Sequence, residues 1–288
     1  MSFGGAFLAV DWGTTNRRVY LIENGRVVRS ERDERGVTAI EPGGFEAEVA
    51  SIRASFGDLP MLLAGMVGSN IGWRAAPYVA APAGIPDLVE RLLWIDERTA
   101  IVPGIATQSD VMRGEEVQLL GAVAAGLASP DALLCQPGTH CKWAQMEDGR
   151  IARFTTAMTG ELFALLGAHG LLAAQLGGEV MLGDAFRAGV EEGKRRDLAA
   201  SLFGIRAAKL LGQRDDADAA SYASGLLIGA DVAARLSGWR PDTVHVLAEP
   251  HLGGLYAAAI EAQGVRAALV DSQAAFAAGI VAIGAGIA

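Results

Sequence analysis

Leu8-Ala9-Val10-Asp11-Trp12-Gly13-Thr14-Thr15 is an apolar run that ends on an acidic residue and a Gly-Thr turn. Val19-Tyr20-Leu21-Ile22, a turn at Asn24-Gly25 and Arg26-Val27-Val28 follow it. The template recurs as Leu133-Leu134-Cys135-Gln136-Pro137-Gly138-Thr139-His140, then Lys142-Trp143-Ala144-Gln145-Met146, a turn at Asp148-Gly149, and Arg150-Ile151. Gly13 to Gly138 is an offset of 125 and Gly25 to Gly149 one of 124, so a single gap aligns both turns. A repeat of this size predicts a duplicated domain rather than a solenoid. Two Gly-Thr turns facing each other across a cleft would form a phosphate clamp, which points to nucleotide chemistry.

After each meander the pattern alternates between strands and helices, which predicts α/β domains with mixed sheets. In the first half, 46–56 reads as an amphipathic helix and 60–66 as a short buried parallel strand. The stretch 68–86 is rich in Gly, Pro and aromatics and reads as a loop over a pocket. The stretch 88–95 fits helix or strand, 101–104 a strand end, and 115–127 a helix of small residues. Pro130-Asp131 marks a hinge. In the second half, 160–172 reads as a helix capped by Thr159, 179–214 as a polar helical insertion, and 221–236 as a small-residue helix. A buried strand is expected at 243–248 and a helix at 255–263. The charged run Glu191-Glu192-Gly193-Lys194-Arg195-Arg196 reads as a solvated face.

The bulk numbers narrow the class. With 288 residues, 51% hydrophobic and 20% charged, the chain can bury a sizeable core. A net charge of -9 argues against nucleic acid as a partner and requires a local cluster of donors for any anionic substrate. Cys135 and Cys141 give no disulfide framework and read as structural thiols of a reducing cytoplasm. The apolar first ten residues lack a basic segment and run into Asp11, so they read as a buried strand rather than a signal peptide. The uncharged run 274–288 is too short to span a bilayer and reads as a buried helix.

Gly13 lets the backbone approach an anion, and Thr14 and Thr15 offer N–H and hydroxyl donors. Asp11, at a strand end, suits Mg²⁺ as a hard oxygen ligand. These residues resemble the first phosphate loop of the sugar kinase, Hsp70 and actin superfamily. Gln136 to Trp143 resembles its second phosphate loop. Thr243 to Ala248, through Gly253-Gly254-Leu255-Tyr256, resembles its adenosine segment, where a Gly turn admits purine and ribose. More narrowly, four stretches together resemble the 2-dehydro-3-deoxygalactonokinase family. They are Asp11 to Arg17, Gly65 to Tyr78, Met112 to Gly121, and Pro137 to Trp143, the last extended by Phe154 to Phe163. The likeness covers nearly the whole chain. Gln136 stands where many superfamily kinases place Asp, and Cys141 where the family has Ser.

The resemblance implies duplicated ribonuclease H-like (actin-like ATPase) domains with mixed five-stranded sheets and a nucleotide cleft between them. The division expected is 1–129 and 130–288, with the last helix packing back on the first domain. It implies ATP-dependent phosphorylation, with Mg²⁺, of the terminal hydroxyl of a six-carbon 2-keto-3-deoxy sugar acid in galactonate breakdown. Gly13, Thr14, Thr15, Gly138, Thr139, His140, Gly253 and Gly254 are expected at the nucleotide and Asp11 at the metal. Asp11, Glu115, Glu116 and Glu161 are the carboxylates inside motif segments that could take the hydroxyl proton. Of these, Asp11, Glu115 and Glu116 are the catalytic candidates. Glu115 and Glu116 are adjacent on a helix and diverge by about 100°, so both cannot face one cleft.

A substrate carboxylate calls for Arg, whose planar fork binds it bidentately; Arg17, Arg74 and Arg113 stand in motif stretches. Ser69, Asn70, Trp73 and Tyr78 fit a sugar-binding loop, with Trp73 and Tyr78 as domain-edge cover the alternative. His140 reads as a phosphate donor or turn residue, and His251 as a loop residue near the nucleotide. The partners expected are ATP and a small sugar acid, without nucleic acid or membrane; a homodimer is left open. The competing readings are a kinase of another sugar and a non-catalytic sugar sensor. The sensor usually carries a basic helix-turn-helix, for which the ten residues before Asp11 leave no room. An actin- or Hsp70-like ATPase is disfavoured by length.

Overall fold

The computed structural model describes residues 3 and 5–287, so Met1, Ser2, Gly4 and Ala288, which fall in the expected terminal strand and helix, lie outside the described residues. The chain divides into two compact units: 1–131 with 144–154 and 272–288, and 132–143 with 155–271.

The first unit contains β1 (Ala6–Trp12), β2 (Arg17–Glu23), β3 (Arg26–Asp33), α1 (Phe45–Phe56), β4 (Met61–Gly65), β5 (Tyr78–Ala80), α2 (Ile85–Glu90), β6 (Leu93–Asp96), β7 (Thr99–Ile101), β8 (Gly104–Ala106), β9 (Val111–Met112) and α3 (Glu115–Ala124). Its main sheet runs β3-β2-β1-β4-β7-β6. β1 is antiparallel to β2 and parallel to β4, so the sheet is mixed. β4 is buried throughout, as a strand covered on both faces must be. Asn24 and Gly25 have φ of 50° and 73°, the double positive φ of a tight hairpin turn that Asn-Gly favours.

Two stretches differ from the sequence reading. The stretch 68–86 contains β5, which joins β8 and β9 in a small separate sheet; three residues are too few to show a period of two. The ambiguous 88–95 resolves into the end of α2 and the edge strand β6. That strand raises the main sheet from five strands to six.

The second half of the chain adds β10 (Ala132–Gln136), β11 (Cys141–Glu147), β12 (Arg150–Ala157), α4 (Thr159–His169), α5 (Asp184–Gly193), α6 (Leu198–Leu210), α7 (Asp216–Leu236), β13 (Thr243–Leu247), α8 (Pro250–Glu261), β14 (Arg266–Val270) and α9 (Ser272–Ala285). The sheet order is β12-β11-β10-β13-β14, with β13 parallel to both β10 and β14. Asp148 and Gly149 have φ of 50° and 73°, repeating the Asn24-Gly25 turn. Helix α7 is buried almost continuously from Ala219 to Ala233.

Thr159 is not a cap. It lies inside α4, its neighbour Met158 occupies the cap position without a side-chain bond, and the Thr159 hydroxyl donates to Asp231 instead. The run 191–196 is more than a solvated face: Glu192 accepts from the Ser201 hydroxyl, and Arg196 donates to the Ala233 carbonyl.

Helix α9 belongs to the first unit. It lies so close to α3 that a Cβ on Gly121 would stand 2.0 Å from the Ala275 carbonyl oxygen. One on Gly279 would stand equally close to the Val117 carbonyl oxygen, at 2.0 Å. Phe276 stacks on Tyr20 of β2 at 5.2 Å. Among the described residues no helix is long and apolar enough to cross a membrane.

Candidate active site

The first Gly-Thr turn is held by a segment that composition does not single out. The Gly13 N–H donates to the Asn16 carbonyl at 2.9 Å. The carbonyls of Gly13, Thr14 and Thr15 accept from Val37, Thr38 and Gly36 N–H at 3.0, 3.2 and 3.0 Å, and the Thr38 hydroxyl adds a bond to the Thr14 carbonyl at 2.8 Å. In a trans peptide the carbonyl and the following N–H point in opposite directions. Three carbonyls fixed inward therefore turn the N–H groups of Thr14, Thr15 and Asn16 outward, a concavity of donors suited to an anion. Thr14 and Thr15 are exposed. Gly36 is required for this approach, since a Cβ there would meet the Thr14 carbonyl oxygen at 2.2 Å.

At the same end of the sheet lies an acidic corner. Asp11 sits opposite Ala64 of β4, and Trp12 opposite Gly65, against whose Cα a Cβ on Gly114 would stand at 3.0 Å. The start of α3 thus meets the end of β4. Burial first, then the charge of Glu115, raises the Asp11 pKa to about 6, with Arg18 opposing. The two glutamates separate as helix geometry requires. The half-buried Glu115 accepts from the Arg113 N–H at 3.0 Å. Glu116 is fully buried and takes the Gly114 N–H on both oxygens, at 2.8 and 2.7 Å. Burial, then Glu115, pushes its pKa up to about 8. The catalytic candidate Glu116 is thus closed off from solvent, and both of its oxygens are used on the Gly114 N–H, where they brace the start of α3.

The arginines separate as sharply. Arg17 stands over the Trp12 ring and is committed to Asp33 at 2.6 Å and Glu48 at 2.9 Å, and it is buried. That corrects its expected substrate role: its charge and donors are used within the unit. Arg113 stacks over the exposed Tyr78 ring at 4.3 Å and donates Nη2 to the Ala76 carbonyl at 2.8 Å. Its Nε and Nη1 are buried and, among the described residues, make no hydrogen bond. Two buried guanidinium nitrogens without acceptors are costly unless an anion completes them. The Ser69 hydroxyl is used locally, donating to the Met66 carbonyl at 2.7 Å. Trp73 stacks on Phe45 and donates to Glu46 at 3.1 Å, the edge-covering alternative, while Asn70 is exposed.

In the second unit, Gly138, Thr139 and His140 form an exposed turn between β10 and β11. The N-terminus of α4 fixes it: Glu161 N–H donates to the Thr139 carbonyl at 2.9 Å, and a Cβ on Gly160 would stand 2.4 Å from the Gly138 carbonyl oxygen. His140 Nε2 pairs with Glu161 at 2.7 Å, both exposed, so this histidine braces the turn. Lys142 is buried and donates to the Thr156 hydroxyl at 2.8 Å. Gly253 and Gly254 do not form the expected Gly turn. They lie inside α8, which begins at Pro250, a residue whose missing N–H suits a first helical position. The buried Asp231 was invisible in sequence because it stands in an Ala-rich helix outside every motif.

The comparisons with known proteins agree with one another. Residues 11–283 match the family model for 2-keto-3-deoxy-galactonokinase. The chain is 38% identical over 282 residues to the 2-dehydro-3-deoxygalactonokinase of Escherichia coli K12, covering 95% of this chain and 96% of that one. A Rhizobium meliloti 1021 protein assigned the same activity is 37% identical, with 97% of each chain covered. The crystal structure of a Sinorhizobium meliloti protein, also so assigned, superposes with a TM-score of 0.90 at 36% identity, covering 96% and 97%. Component A of the (R)-2-hydroxyglutaryl-CoA dehydratase of Acidaminococcus fermentans, at 14% identity and TM-score 0.51, shares the fold alone, that of the actin-like ATPases.

Proposed function

From membership of the 2-keto-3-deoxy-galactonokinase family, to which this chain belongs, we infer a carbohydrate kinase that transfers the γ-phosphoryl group of ATP to the 6-hydroxyl of 2-dehydro-3-deoxy-D-galactonate in galactonate catabolism. The observation that carries the substrate class is Arg113: two buried, idle guanidinium donors above an aromatic face suit the carboxylate of a sugar acid. Asn70 and Tyr78 are the exposed groups left in the neighbouring loop for hydroxyls and carbon skeleton.

Phosphoryl transfer is mostly positioning and charge neutralisation. In this reading the outward N–H groups of Thr14 and Thr15 hold phosphate oxygens of the nucleotide, and the Gly138-Thr139 turn of the second unit is by itself a phosphate loop of the same kind. The donor set at Asp11 is all oxygen, and the repulsion from Glu115 is what a cation there would relieve, so the residues fit Mg²⁺. When bound, Mg²⁺ supplies charge neutralisation at the phosphates. With Asp11 holding the metal, Glu115 is the carboxylate left to take the hydroxyl proton as the O6–Pγ bond forms and the bond from Pγ to the bridging oxygen breaks, releasing ADP. The enzyme would work in the cytoplasm, and sedimentation velocity would decide whether it is a homodimer.

A coupled assay of ADP formation over galacto- and gluco-configured 2-keto-3-deoxy acids and neutral hexoses tests the assignment. Turnover is expected with the acids, highest for the galacto form. Equal turnover of a neutral hexose would overturn it in favour of a general sugar kinase.

A further inference from the structure

Asp231 is the only charged residue among the buried positions of α7, and its side chain is 4% exposed. Its Oδ2 accepts from Trp143 Nε1 at 3.1 Å and from the Thr159 hydroxyl at 3.1 Å. Arg235 Nε stands 3.8 Å from Oδ1, too far for a hydrogen bond, so the carboxylate is only partly compensated. A buried carboxylate of this kind adds little to stability, because an apolar residue of similar volume would usually serve as well. What it does supply is a fixed position for its donors.

Those donors flank the second Gly-Thr turn. Trp143 lies in β11, three residues beyond His140, where the chain leaves the turn. Thr159 opens α4, whose next two residues carry the turn: Gly160 against the Gly138 carbonyl and Glu161 N–H on the Thr139 carbonyl. One carboxylate oxygen therefore ties the exit strand and the supporting helix to α7. A shift of either donor would move the carbonyls of Gly138 and Thr139, and with them the direction of the turn's N–H groups.

We propose that Asp231 is a positioning residue for phosphoryl transfer, holding the Gly138-Thr139 turn in the geometry that receives the nucleotide phosphates. The proposal rests on the reading of that turn as a phosphate loop. It acts through Thr159 and Trp143 and touches neither substrate.

The test measures ATP affinity by calorimetry, and kcat and KM for both substrates, in Asp231→Asn, Thr159→Ala, the double variant and Thr139→Glu. Asp231→Asn and Thr159→Ala should each weaken ATP binding at least fivefold while leaving KM for the sugar acid within twofold. The double variant should be no worse than Asp231→Asn, since the Thr159 link that Thr159→Ala removes is one of the two that depend on the Asp231 carboxylate. Thr139→Glu, which places an anion on the exposed turn, should weaken ATP at least tenfold. If Thr139→Glu weakens ATP but Asp231→Asn and Thr159→Ala only lower the melting temperature, Asp231 is structural and the proposal falls alone. An unchanged ATP affinity in Thr139→Glu would remove the phosphate-loop reading and the proposal together. Should Asp231→Asn fail to fold, Thr159→Ala decides by the same KM signature.

Discussion

Glu116 has no access to water, and both of its oxygens accept from one amide, that of Gly114. Its folded pKa of about 8 lies above the ordinary 4.5, so the native state keeps a proton that the unfolded chain releases. The contribution of Glu116 to stability is therefore full below about pH 4.5 and is lost as pH rises to about 8, by roughly 1.4 kcal/mol for each pKa unit gained. Glu116→Gln should flatten the fall in melting temperature between pH 5 and 8, read by differential scanning fluorimetry. An unchanged slope would mean Glu116 is not the titrating group. Arg113→Lys keeps the charge but loses the planar fork, so KM for the sugar acid should rise about tenfold, on the scale of a lost charge-assisted bond, with KM for ATP near wild type. A shift in ATP KM alone would assign Arg113 to the nucleotide. The motif Arg113-Gly114-Glu115-Glu116 was legible in sequence, but which glutamate turns inward was not. That choice depends on each side chain folding back onto the N–H two residues before it. The burial of Arg17 was equally hidden, because Asp33 and Glu48 come from separate elements.

Among the elements, those that declare themselves locally were readable: the apolar strands β1 and β10, and the Asn24-Gly25 and Asp148-Gly149 hairpins. The short strands β5, β8 and β9 were not, since two or three residues carry no period. Gly253-Gly254 misled for the opposite reason, because glycine signals a turn while Pro250 had already started a helix. The contact of α3 with α9 is backbone against backbone, which no helical wheel displays. Gly279→Ala would drive a methyl into the Val117 carbonyl, which stands 2.0 Å from the Cβ position. It should destabilise the protein by about 1–3 kcal/mol, measured by urea denaturation, with kcat of the folded fraction unchanged. Wild-type stability in this variant would show that the helices separate without cost.

At the scale of the molecule, the first unit is assembled from three stretches of chain, 1–131, 144–154 and 272–288. A fragment ending at residue 131 lacks α9 and leaves the α3 face around Gly121 and Val117 uncovered. It should show no cooperative thermal transition, and adding a peptide of residues 272–288 in trans should restore one in part. Cooperative unfolding of the bare fragment, seen by calorimetry, would show that α9 is dispensable to the unit. The duplication was legible because each copy repeats its own turns. The return of the last helix to the first unit was expected only from the family resemblance, because an uncharged Ala-rich helix carries no mark of the surface it will cover.

That late return sets an order of events during synthesis. The first unit leaves the ribosome long before its closing helix does. At roughly 5–20 residues per second, the delay between residues 131 and 272 is on the order of ten to thirty seconds. Through that interval the nascent chain exposes the apolar trough that α9 will fill. Translation pauses placed before Ser272 would lengthen its exposure to proteases and to other nascent chains.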